Sequence, residues 1–73
     1  MQVGEIVRIR KDAFPDDAMK HVMYAGWYAV VMQREGVMAY LDSDEFTRKT
    51  GQLQAVSFRG WFSVDKLEEA KGE

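Results

Sequence analysis

The sequence predicts a single mainly β domain closed into a small barrel. Three observations carry that prediction. Several short segments rich in β-branched and aromatic residues alternate apolar with polar side chains, the period of a half-buried strand. Dipeptides ending in glycine, Glu35-Gly36 and Arg59-Gly60, separate such segments as tight hairpin turns do. Four or five short strands in a chain of 73 residues also call for closure, because a small open sheet leaves its edges exposed.

The first strand is expected around Val3–Arg10. Val7 and Ile9 alternate with Arg8 and Arg10, and Gly4 suits the turn before them. A short helix follows from Pro15 to Ala25. Pro15 fits the first helical position, where its missing N–H costs nothing, and Asp16 and Asp17 then complement the helix dipole. Ala18, Val22 and Ala25 share one face with Met19 and Met23 beside it, and Gly26 provides a stop.

The clearest local signal is a hairpin of Tyr28–Arg34 and Val37–Leu41 about a Glu35-Gly36 turn. That register opposes Arg34 to Val37. It places Tyr28, Val30, Met32, Ala39 and Leu41 on one face and Trp27, Val31, Gln33, Met38 and Tyr40 on the other. Both faces are substantially apolar, so the second is expected to be covered, by the Pro15–Ala25 helix or by another molecule.

Asp42–Gly51 is polar and reads as a loop with at most one or two helical turns, capped by Ser43 ahead of Asp44 and Glu45. A strand over Leu53–Phe58, a turn at Arg59-Gly60 and a strand over Trp61–Val64 complete the β pattern. Asp65 and Glu68 have the spacing of a capping box, which predicts a short turn, and Lys71–Glu73 are expected to fray.

Composition narrows the function classes. Ten Lys and Arg against 12 Asp and Glu give a net charge of −2, and 47% of residues are hydrophobic, which excludes a disordered chain. No apolar run approaches the roughly 18 residues of a membrane span. No charged start leads into a long apolar stretch, so a signal peptide is not expected and a cytoplasmic location is. Cysteine is absent, which excludes a disulfide scaffold, a thiolate zinc site and a cysteine nucleophile. A core this small needs very good packing or self-association, a first hint of an oligomer or a partner.

Gly4-Glu5-Ile6-Val7-Arg8-Ile9 at the start and Val56-Ser57-Phe58-Arg59-Gly60-Trp61-Phe62-Ser63-Val64-Asp65-Lys66-Leu67 at the end resemble the first and last strands of SH3-like barrels. There a G-x-x-V-R-I strand opens the domain, and a V-x-F strand, a tight turn, a short strand and a V-x-x-L end close it. The resemblance implies an SH3-like small barrel of about five strands with a short helix inserted after the first. The small peripheral ferredoxin-docking proteins of photosystem I share this opening and closing rhythm, which implies a docking role. More locally, Gly26-Trp27-Tyr28, Glu35-Gly36 and Val64-Asp65-Lys66-Leu67-Glu68 are similar to type II dihydrofolate reductases, whose SH3-like chains build one pore from four copies. That family carries V-Q-I-Y where this chain has Ala55-Val56-Ser57-Phe58, and the Pro15–Ala25 insertion is foreign to it.

Among single constellations, His21 with Asp17 four residues earlier has the spacing of a solvated pair as much as of a base and its orienter. Asp42, Asp44 and Glu45 lack the ligand spacing of a calcium loop, and no metal or other cofactor is expected. Arg8, Arg10, Lys11, Arg48 and Lys49, with interleaved aromatic residues, suggest nucleic-acid binding as one alternative, opposed by the net acidity. No Gly-rich phosphate loop, serine-nucleophile motif or metal-binding His pair appears, so an enzyme with its own catalytic side chains is not expected. A reductase-like pore enzyme is the other alternative. The main expectation is a non-catalytic docking module that uses Trp27, Val31, Met38, Tyr40 and Trp61 to bind a protein partner or copies of itself, since Trp, Tyr and Met are enriched at interfaces.

Overall fold

Residues 1–70 are described by a computed structural model; the expected fraying of Lys71–Glu73 lies outside them. The chain runs β1 (Ile6–Ile9), α1 (Ala18–Tyr24), β2 (Tyr28–Glu35), β3 (Met38–Asp42), α2 (Ser43–Thr50), β4 (Arg59–Ser63), a 3-10 turn (Val64–Lys66) and β5 (Leu67–Glu69). The strands form one antiparallel sheet in the order β4-β3-β2-β1-β5. The fold is thus mainly β, with five strands and a short helix after the first. The edge strands β4 and β5 are not paired with each other, so the sheet is not closed.

One sheet face carries the core. Val7, Ile9, Ala29, Val31, Ala39, Leu41 and Leu67 pack there with Ala13, and all are buried. Each large member contributes roughly 1.5–3 kcal/mol by leaving water. Phe14, Tyr24, Phe58 and Phe62 close one end of this core, with Tyr24 edge-on to both Phe58 (5.4 Å) and Phe62 (5.1 Å). Tyr24 is the anchor of α1. The rest of that helix, including Met19, Val22 and Met23, is exposed.

Several local expectations are corrected. The hairpin turn is Gly36-Val37, with Glu35 opposite Met38, because Gly36 takes φ +55° at the first turn position. A bulge at Met32 then shifts the ladder, so Val31 faces Leu41 whereas Gln33 faces Tyr40. One extra residue moves every side chain beyond it to the other face. Val31 therefore joins the core and not the outer face, while Tyr28 and Val30 move outward. The helix α1 begins at Ala18, with the Asp17 carboxylate accepting from the Lys20 N–H at 3.0 Å, three residues after Pro15.

The outer face is partly covered by α2, not by α1. Asp42, rather than Ser43, caps α2, accepting from the N–H groups of Asp44 (2.9 Å) and Glu45 (3.3 Å). Phe46 stacks on Tyr28 at 5.1 Å and is buried, which seats the helix over the first half of β2. The expected strand over Leu53–Phe58 is irregular chain, and Arg59-Gly60 lies inside β4, where Gly60 pairs with Leu41. The 3-10 turn has no side-chain cap, so Asp65 and Glu68 make no capping box; Glu68 instead lies in β5 and pairs with Arg8.

Candidate functional site

The outer face beyond the reach of α2 is built by register. Gln33, Tyr40 and Trp61 stand in one row across β2, β3 and β4; Glu35, Met38 and Ser63 form the next. The row of Val30, Asp42 and Arg59 borders α2. Tyr40 and Trp61 meet edge to face with centroids 5.4 Å apart, and Trp61 keeps 43% of its surface exposed. An exposed indole held by a neighbouring ring is a large, rigid apolar contact with little ordering left to lose on binding.

The same strand carries a free edge. The backbone of Phe58 bonds toward Ser43, and the Val64 N–H donates to the Val37 carbonyl at 2.8 Å. Gly60 and Phe62 fall in phase with these along the β3 ladder. Antiparallel pairing alternates, so the intervening Arg59, Trp61 and Ser63 direct their N–H and C=O groups away from β3, toward the open side.

The segment before β4 is fixed by polar side chains that sequence reasoning missed. Gln54 accepts from the Tyr28 N–H (2.7 Å) and donates to the Tyr28 carbonyl (2.9 Å), standing in for a ladder residue. The buried Ser43 hydroxyl accepts from the Phe58 N–H at 2.8 Å, and the Ser43 N–H donates to the Phe58 carbonyl at 3.0 Å. These bonds set where β4 begins. A lone Gln in a polar stretch carries no periodic signal by which to find it.

Of the expected docking residues, the structure brings together Met38, Tyr40 and Trp61. Trp27 is half-buried in the turn before β2, its carbonyl accepting from Ile9, about 20 Å along the strand from Gln33. Val31 is wholly buried. The basic residues of the nucleic-acid alternative are dispersed among internal partners. Arg8 pairs with Glu68, Arg10 with Asp12, Arg48 with Glu45, and Lys49 donates to the Gly4 carbonyl; Lys11 is exposed. The guanidinium pKa of Arg8, Arg10 and Arg48 is raised by these carboxylate hydrogen bonds, and Arg10 holds the Asp12 carboxyl below its ordinary range.

His21 is exposed on α1, while Asp17 is occupied in capping. Among the described residues no three His, Asp or Glu side chains gather as a metal site, and no helix is long and apolar enough to cross a membrane. Comparison with family models, curated proteins and solved structures returns no match.

Proposed function

We propose that this chain is a non-catalytic SH3-like docking module that binds a protein partner through the outer face and free edge of β4. One observation carries the reading: of the two edge strands, β4 is the one that bears the exposed, ring-supported Trp61. Main-chain groups along an open edge give affinity to an added strand, and an aromatic beside them gives it a place to pack. The SH3-like part of the proposal is supported by the meander that returns the last strand to the first, with β5 beside β1.

Selection of peptides from a random library on the immobilised full chain tests the proposal. Enriched peptides are expected to lose binding on Trp61→Ala or Tyr40→Ala and to keep it on Val22→Ser, on the exposed face of α1. Enrichment indifferent to Trp61 and Tyr40, or no enrichment, would contradict it.

A further inference from the structure

We infer that the groove beside β4 takes an extended acidic segment of the partner, which adds to the sheet as a further strand. The inference rests on the docking reading above and names its occupant. One wall of the groove is β4 itself; Phe14, Lys20 and Tyr24 face it together with Lys66 from the 3-10 turn, around a cavity of about 240 Å³. The outward N–H and C=O groups of Arg59, Trp61 and Ser63 border this space, which is where an added strand would pair.

Charge selects the occupant. Lys20, Arg59 and Lys66 line the groove and no Asp or Glu does, in a chain of net charge −2. None of the three enters an ion pair among the described residues. Lys66 Nζ donates to the Ala13 carbonyl at 2.9 Å and lies 5.4 Å from the Phe14 ring centroid; Lys20 Nζ lies 6.0 Å from the same centroid. The ring holds both ammonium groups near the groove without neutralising them. Carboxylates complete this arrangement, whereas a second copy of the chain would bring a second set of cations to the same edge.

Strand geometry sets the pattern of the segment. Side chains of an added strand alternate between the two faces. One set lies over Trp61 and Tyr40; the other lies beside Phe62 and Tyr24, toward Lys20 and Lys66. The segment therefore alternates apolar residues, packed on Trp61, with Asp or Glu directed at the lysines.

The test is fluorescence anisotropy of the full chain with a labelled peptide of about eight residues in which Glu and Val alternate. The comparators carry Lys for Glu, or N-methyl groups on alternate amides. The Glu peptide is expected to bind, to weaken with added salt, and to lose about tenfold in affinity on Lys20→Glu with Lys66→Glu. The Lys and N-methylated peptides are expected not to bind. Lys20→Glu alone, at an exposed position of α1, serves as a second variant should the Lys66 change impair folding, and is expected to weaken the Glu peptide in the same direction. Equal binding of Glu and Lys peptides, or no binding of the Glu peptide, would overturn the inference. Library peptides that depend on Trp61 but lack acidic alternation would overturn it while leaving the docking reading intact; failure of both screens would remove both.

Discussion

Gln54 shows how much of this fold rests on single polar side chains. Its amide satisfies both backbone groups of Tyr28, where the ladder has run out of strand. Gln54→Ala leaves them without partners in a half-buried place and is expected to cost about 1–3 kcal/mol in urea unfolding. Gln54→Glu is expected to be nearly as harmful, since a carboxylate cannot donate to the Tyr28 carbonyl. Asp12 makes a smaller, pH-dependent contribution. Arg10 lowers its pKa in the folded state, so the stabilisation is complete at neutral pH. It is lost as the pH falls through the acid range in which the folded-state carboxyl protonates. Asp12→Asn is expected to flatten that part of the profile of unfolding midpoint against pH, by a small amount because the pair is exposed.

At the scale of elements, periodicity located β1 and the hairpin but not their full consequence. The alternation of Val7 and Ile9 marks a strand buried on one face, and both are in the core. In β2 a single extra residue at Met32 reverses the faces of everything before it, and no pattern in Tyr28–Gln33 announces a bulge, because residues on both sides of the strand are apolar. The turn is off by one because glycine satisfies either position of a two-residue turn, and only φ +55° at Gly36 tells which. Gly36→Ala is expected to destabilise by about 1–2 kcal/mol, and an exchange of Gly36 with Val37 to lose the register. The two helices differ in kind: α1 hangs on Tyr24, whereas α2 is sealed by its Asp42 cap and the burial of Phe46. Phe46→Ala is expected to cost about 3–5 kcal/mol and to release α2 from β2.

For the whole molecule, the proposed docking role assigns recognition to the part of the outer face that α2 leaves open, and stability to the opposite face. Leu41, wholly buried on β3, and Trp61, next to its partner Gly60 on β4, differ sharply in what they should do. Leu41→Ala is expected to lower stability by about 2–5 kcal/mol, while Trp61→Ala is expected to cost less than Leu41→Ala and to remove binding. The mainly β class was legible in the alternation, and the inserted helix in the run from Ala18 to the stop at Gly26, though not its start, which Asp17 sets and Pro15 does not. The open edge was not, because Leu53–Phe58 has the composition of a strand yet runs as irregular chain, with Phe58 at its end bonded to Ser43.

Docking at β4 requires that edge to be free, and amide hydrogen exchange of the full chain, resolved by residue, measures this directly. The N–H groups of Arg59, Trp61 and Ser63 are expected to exchange quickly in the free chain and to slow on addition of the Glu-Val peptide, while those of Gly60, Phe62 and Val64 stay protected throughout. Equal protection of all six in the free chain would mean that the edge is already paired, and would contradict docking there.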